Sequence, residues 1–237
     1  MKILCVADHR DPIIYSSQIR ERFADIDIVL AAGDLELEYY GFIVSSLNKP
    51  LLFVFGNHNL SRLPEYRKHL RDPYDDLSTS PYLRPSFGST YVGAKVKTVH
   101  GLIVAGLGGS RRYNSGENQF SEFGMFSRMM RIFPKLLLNR LFHGRYLDIL
   151  LTHAAPWGLG DMPDQCHRGF KVFLWFMRVF KPRYLVHGHV HLYDMNAKRK
   201  HTYFETTVVN AFSHTIIEIE THDTRLKTPS TPIEGRF

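Results

Sequence analysis

Five short apolar runs, each stopping on a polar residue, constrain the fold of this chain more than any other feature. Lys2 to Ala7 is followed by Asp8. Ile26 to Ala32, broken by Asp27, is followed by Gly33-Asp34. Leu51 to Phe55 is followed by Gly56-Asn57-His58-Asn59. Asp148 to Leu151 leads into Thr152-His153, and Tyr184 to Val186 leads into His187-Gly188-His189-Val190-His191. Runs of this length bounded by turn residues read as strands. Where helices cross between strands, ligands gather beyond the carboxyl ends of the sheet. One sheet edge is therefore expected to collect two acids, an amide and several histidines.

The last of these motifs is the sharpest. Histidines at every second position of an extended segment face one side, close enough for neighbouring imidazoles to converge on a metal. Each piece taken singly has a plainer reading. Asp8 and Asp34 could cap helices that follow strands. Asn57-His58-Asn59 after Gly56 could be a simple turn. A lone His153 is more often a satisfied core residue. The His189/His191 pair resists the structural reading best.

The ordered set Asp8, Gly33-Asp34, Gly56-Asn57-His58, His153 and Gly188-His189-x-His191 resembles the calcineurin-like metallophosphoesterase superfamily, from residue 1 to about 220. Gly106 to Asn114 and His167 to Phe170 are similar to a bacterial branch of it. The resemblance implies an α/β fold, a four-layer α/β/β/α sandwich of two mixed sheets flanked by helices. It also implies a dinuclear centre of divalent cations. In that pattern Asp34 bridges two metals, Asp8 and His191 bind the first, and Asn57, His153 and His189 bind the second. His58 is not a ligand; it stands beside the metals to contact phosphate and protonate the leaving oxygen. His187 is not needed by the pattern and reads as packing or as support for a ligand.

The chain departs from the family pattern in three places. Where an Asp-x-His pair is usual, the third position is Arg10, and histidine has moved to His9. A guanidinium cannot ligate a cation, so the first site is expected to be the weaker one. Leu37 stands where the second motif often has an acid, and Asn59 stands where the third often ends in one. Carboxylate, amide and imidazole ligands suit Mn²⁺, Fe²⁺ or Zn²⁺ better than Ca²⁺; Mn²⁺ is the expected activator.

Candidate substrate groups follow from charge. Arg10 could clamp a phosphate oxygen or pair with a nearby acid. Arg111 and Arg112 lie in a glycine-rich segment that lets backbone approach an anion. His167, Tyr113 and Asn114 are weaker candidates in the same region. The segment 123–147 carries Arg128, Arg131, Lys135, Arg140 and Arg145 among many apolar residues and no acid. It reads either as a cap or membrane-contacting helical segment or as plain helices whose basic residues reach out to water.

At 237 residues the chain fits one large α/β domain, taken as 1–226, with a cap-like segment near 120–146 and a flexible tail at 227–237. The tail holds Ile233-Glu-Gly-Arg236, a protease recognition sequence used in cloning, and receives no functional weight. Helices are expected over 15–24, 35–47, 61–71, 120–142 (divided at Pro134) and 167–180. A loop is expected at 72–90, a hairpin over 95–106, and closing strands over 201–220. The N-terminal run is too short for a signal peptide, and two cysteines suggest no disulfide framework, so a reducing cytoplasm is expected. A formal charge of +7 favours anionic partners. Nucleic acid is not an expected partner, because no aromatic-basic motif accompanies the charge.

The expected activity is metal-dependent hydrolysis of a phosphodiester, pyrophosphate or phosphomonoester bond in a nucleotide or lipid-like molecule, by a metal-activated hydroxide. The alternatives are a metal-binding protein whose catalysis Arg10 has degraded, and a nuclease. Oligomeric state is not legible.

Overall fold

The computed structural model describes residues 1–67, 87–194 and 196–220. Along the chain run β1 (Lys2–Ala7), α1 (Ile19–Arg22), β2 (Ile28–Ala31), α2 (Leu37–Leu47), β3 (Leu51–Phe53), α3 (Leu63–Arg67), β4 (Thr90–Tyr91), β5 (Lys95–Val99) and β6 (Leu102–Leu107). They are followed by β7 (Ser110–Arg111), β8 (Gln119–Phe120), α4 (Glu122–His143), β9 (Ile149–Thr152), α5 (Lys171–Phe180), β10 (Tyr184–His187), β11 (Lys200–Tyr203), β12 (Thr206–Asn210) and β13 (Ser213–Glu218). The first sheet has the order β13-β1-β2-β3-β4 and the second β11-β12-β10-β9-β6-β5. In the first, β1 to β4 are parallel and β13 runs antiparallel to β1. In the second, β6, β9, β10 and β12 are parallel, with antiparallel strands at both edges.

Side-chain alternation decides how the layers stack. Ile3, Cys5 and Ala7 join Ile28, Leu30, Val104, Ile149, Leu151 and Val186 in a core between the sheets. Leu4 and Val6 point the other way, onto Ile19, Tyr39, Tyr40 and Ile43. On the far side Ile103, Leu150 and Leu185 meet Met125, Met129, Phe173 and Phe176. Both faces of each sheet are thus covered, and the continuous apolar strands follow from that. The result is the four-layer α/β/β/α sandwich. Each of the larger side chains contributes roughly 1.5–3 kcal/mol by its burial, so a carboxylate in place of Leu30 or Leu151 would break the layer it joins.

Several expected elements take different bounds. The helix expected at 15–24 shrinks to α1, because Asp11 and Ser16 satisfy backbone groups locally. The Asp11 carboxylate accepts from Ile13 N at 2.8 Å, and Ser16 Oγ donates to Ile13 O at 2.9 Å. Pro134 does not divide the helical segment: α4 runs unbroken through it. Its buried stripe of Met125, Met129, Ile132 and Leu136 spans both sides of the proline, so burial against the second sheet outweighs the missing N–H. Ser121 caps its start through Gly124 N at 3.0 Å, and Gly144 ends it with φ of 71°. The helix expected from 167 begins at Lys171, where the Glu122 carboxylate accepts from Lys171 N and Val172 N at 3.0 and 3.1 Å. Residues 68–71 of the expected third helix, most of the loop at 72–90, and the tail at 227–237 lie outside the described residues.

Candidate metal centre

The carboxyl ends of β1, β2 and β3 in one sheet and of β9 and β10 in the other come to a shared rim. Backbone bonds stitch it: Asp8 N donates to Gly33 O at 3.1 Å and Gly188 N to His153 O at 3.0 Å. Asp8, Asp34 and His189 all adopt left-handed backbone, with φ of 64°, 58° and 67°. Non-glycine residues held there cost about 1–3 kcal/mol each and cluster at functional sites. Glycine is required where these loops press together. At Gly56 a Cβ would overlap Asp34 Oδ1, and at Gly188 it would lie 2.6 Å from both Ala7 Cβ and Asp8 Oδ2.

Within the rim, ligand atoms of Asp34, His153 and His189 lie within 4.8 Å of one another. Asn57 joins them, with Oδ1 at 3.1 Å from His153 Nε2, and Asp34 Oδ2 stands 3.2 Å from the same nitrogen. The outward atom of each of these ligands is tied. His153 Nδ1 donates to Ala32 O at 2.8 Å, and His189 Nε2 donates to Cys166 O at 2.7 Å. A carbonyl can only accept, so each ring is left with its other nitrogen facing inward. Asn57 Nδ2 donates to the Tyr113 hydroxyl at 3.1 Å, which turns Oδ1 toward His153. Asp34 Oδ1 accepts from His58 N at 2.8 Å.

Burial and the pairing of Asp34 with His153 set the electrostatics of the centre. Burial opposes ionisation of both Asp34 and His153, yet their mutual attraction and hydrogen bond hold Asp34 below and His153 above their ordinary values. Burial pushes the Asp8 carboxyl up to about 7, against the pull of His153. His189 is pushed down to about 3 by burial and then by His153. One carboxylate, an amide oxygen and two inward imidazole nitrogens make a donor set suited to a divalent cation, which would take the place of the proton now shared by Asp34 and His153. The residues present therefore fit the group.

The remaining expected ligands are arranged differently. Asp8 accepts from His189 N with both oxygens, at 3.0 and 2.9 Å, and its Oδ1 is 4.0 Å from His153 Nδ1. His191 is exposed, bonds Tyr193 OH through Nδ1 at 2.8 Å and stacks on Phe212. Neither belongs to the compact group of three. His9 is exposed and approaches Phe212. His187 is buried, donates Nδ1 to Gly188 O, and is pushed down to about 4 by burial, as a packed neutral ring.

His58 and the arginines lie at the rim. The His58 side chain is exposed. Arg10 is turned to Glu36 at 3.2 Å and over the rings of Tyr15 and Tyr39. Arg111 lies over Trp157, and exposed Arg112 donates its backbone N–H to Phe120 O. Asn114 Oδ1 accepts from Gly116 N and Gln119 Nε2, closing its own loop. The His167 ring lies 5.3 Å from that of His189, tilted against it, and bonds Asp164. Asp164, Cys166 and His167 form a second compact group of ligand-type atoms. There the carboxylate accepts from Cys166 N and His167 N, shaping the turn that delivers Cys166 O to His189.

Sequence reasoning missed the anchors: Ala32 O, Cys166 O, and Asn118, whose side-chain amide donates to Gly56 O at 2.5 Å. Main-chain carbonyls leave no signature in residue type, and nothing around Asn118 set it apart from a turn asparagine.

A family model described as calcineurin-like phosphoesterase matches residues 1–193. The structure aligns with TT1561 of Thermus thermophilus at TM-score 0.58 and 13% identity, over 90% of this chain and 89% of that one. Chaetomium thermophilum Vps29 aligns at TM-score 0.37 and 12% identity, over 93% and 83%. No curated protein matches the sequence.

Proposed function

The chain belongs to the calcineurin-like phosphoesterase family, and we propose that it hydrolyses a phosphodiester or pyrophosphate linkage in a small nucleotide or lipid-like molecule. Membership implies a hydrolase of phosphate esters that uses divalent metal ions. The observation that carries the finer reading is the meeting of Asp34, Asn57, His153 and His189 from four strand ends, each with its outward atom already anchored.

Asp34, Asn57, His153 and His189 would hold one cation, and Asp8, Asp34 and His191 a second, with Mn²⁺ the expected activator. When bound, such cations bring water into nucleophilic form near neutral pH and offset charge on the transferring phosphoryl group. The protein's own contribution is orientation. The carbonyls of Ala32 and Cys166 fix the two imidazoles, Tyr113 fixes the Asn57 amide, and His58 N fixes one Asp34 oxygen. The exposed His58 ring is free at the rim to give a proton to the leaving oxygen. Arg10, Arg111, Arg112 and His167 are the groups proposed to meet substrate.

One face of α4 exposes Phe123, Leu137, Leu138 and Leu141 beside the cations Arg131, Lys135 and Arg140. That face suits peripheral contact with an anionic bilayer surface; failure to sediment with phosphatidylglycerol vesicles would remove it. Among the described residues no helix is long and apolar enough to cross a membrane. The two free thiols suit a cytoplasmic site of action.

Hydrolysis of bis-p-nitrophenyl phosphate with Mn²⁺ tests the central reading. Turnover should be present in the wild type and lost in both Asp34→Asn and His58→Ala. No turnover with any divalent metal would leave a binding protein, the second reading, which the Arg10–Glu36 pairing favours.

A further inference from the structure

Close in the chain to residues of the candidate metal centre, three cations share one indole. Lys171 Nζ lies 4.6 Å from the Trp157 ring centroid, and the guanidinium carbons of Arg111 and Arg168 each lie 5.4 Å from it. The ring's negative face attracts each of them, but the three repel one another. A carboxylate is the usual relief. Among the described residues none of the three forms an ion pair with one. The acids close by in the chain are committed elsewhere. Asp161 accepts from Gly158 N and Gly169 N, and Glu122 from Lys171 N and Val172 N. Arg111 Nη1 is buried with no hydrogen-bond partner, and Arg168 Nη2 donates to Pro163 O.

Its place in the chain ties it to the centre. Arg111 is two residues from Tyr113, whose hydroxyl holds Asn57. Arg168 follows His167, whose ring packs tilted against His189 at 5.3 Å. Trp157 is four residues after His153, and its backbone N–H bonds Phe170 O at 3.1 Å, which fixes the loop against the start of α5.

We propose that Arg111, Arg168 and Lys171, held on Trp157, form a subsite for a second phosphate group of the substrate, one that is not cleaved. This rests on the reading of the adjacent centre as a phosphoesterase, and it narrows the substrate to molecules carrying at least two phosphates. The guanidinium forks suit phosphate oxygens better than they suit a neutral sugar or base.

The test is inorganic pyrophosphate binding to the metal-free protein by calorimetry. Arg168→Gln and Lys171→Gln should each weaken binding about tenfold, the loss of one charge-assisted hydrogen bond. Trp157→Leu should weaken it comparably although no charge is removed. Lys135→Gln, an equal charge change on exposed α4, should shift it less than about twofold, the screened effect of a distant surface charge. Equal weakening in Lys135→Gln, or unchanged binding in the two cation variants, overturns the subsite. Circular dichroism checks that each variant folds; should Trp157→Leu not fold, the two cation variants carry the test. Bis-p-nitrophenyl phosphate turnover is measured separately. Its absence would remove the hydrolase reading while pyrophosphate binding stood, and its presence without pyrophosphate binding would remove only the subsite.

Discussion

The two halves of the candidate centre are built to different standards. On one side Asn57, His153 and His189 are buried, and a second atom of each is bonded to a fixed partner. On the other, His191 is exposed and bonds another exposed side chain, Tyr193, while Arg10 is paired with Glu36. Asp8 spends both oxygens on the His189 backbone. The lesson concerns preorganisation. The first set would need little rearrangement to grip a cation, whereas the second would have to form its geometry as a cation arrived and so would lose affinity to ordering.

The largest effect should come from the residue common to both halves. Asp34→Asn should lower turnover of bis-p-nitrophenyl phosphate by about 10³-fold, equivalent to several kcal/mol of lost charge stabilisation. Retained turnover would mean that Asp34 does not bridge the halves. Next comes metal affinity itself. Titrating the metal-free protein with Mn²⁺ should give one tight site and a second at least about tenfold weaker, a gap of roughly 1.4 kcal/mol. His191→Ala should abolish the weak site alone. Two equal tight sites would erase the contrast.

Much of the ordered half was legible in the sequence, for a definite reason. Asp34, Asn57, His153 and His189 each stand just past an apolar run, so strand ends announced them. The two-sheet sandwich was legible through the resemblance that the ordered motifs carry, and the continuous apolar strands, covered on both faces, agree with it. What escaped was conformation dictated at a distance. Pro134 reads locally as a break, and only the sheet under α4 keeps the helix whole. The helix expected at 15–24 was shortened to α1 by Asp11, a competitor within the segment's own approach. Ala32 and Cys166 act through carbonyls that every residue carries.

Tyr113 sharpens the comparison from within the ordered half. Tyr113→Phe removes the acceptor of Asn57 Nδ2 and frees the amide to turn. Mn²⁺ affinity at the tight site should fall about tenfold, the size typical of a lost outer hydrogen bond, with the fold intact. An unchanged affinity would mean that the contact with His153 is enough to hold Asn57.

Asp11 probes what supports the looser half. Its carboxylate accepts from Ser213 Oγ at 2.6 Å, from His214 Nδ1 and from Ile13 N, tying the loop after Asp8 to β13. Burial works against its charge, but these hydrogen bonds outweigh it and hold the carboxyl below its ordinary value. Asp11→Asn should cost about 1–3 kcal/mol at pH 7, or roughly 2–12 °C in Tm for a chain this long. A group depressed in the folded state contributes fully above its unfolded pKa and loses that contribution as pH falls through its folded one. Wild type and variant should therefore converge in stability as pH drops below the carboxylate range. A gap that persisted in acid would assign the effect to shape rather than charge.

Arg10 should give the smallest effect, and its direction is informative. Its ion pair with Glu36 is exposed on both partners, at 42% and 47%, and such pairs contribute about 0.2–1 kcal/mol or less. Stacking on Tyr15 and Tyr39 adds a similar amount at most at an exposed position. Arg10→Ala should therefore leave Tm within a few degrees of wild type. Restoring the ligand that the family pattern usually carries is the stronger experiment. Arg10→His removes the pair and returns an imidazole two residues after Asp8. If the looser half is weak because it lacks a donor, the second Mn²⁺ should then bind more tightly, by an amount that closes part of the gap to the first. If its affinity does not move, the weakness lies in the exposed His191 and the occupied Asp8 oxygens rather than in Arg10.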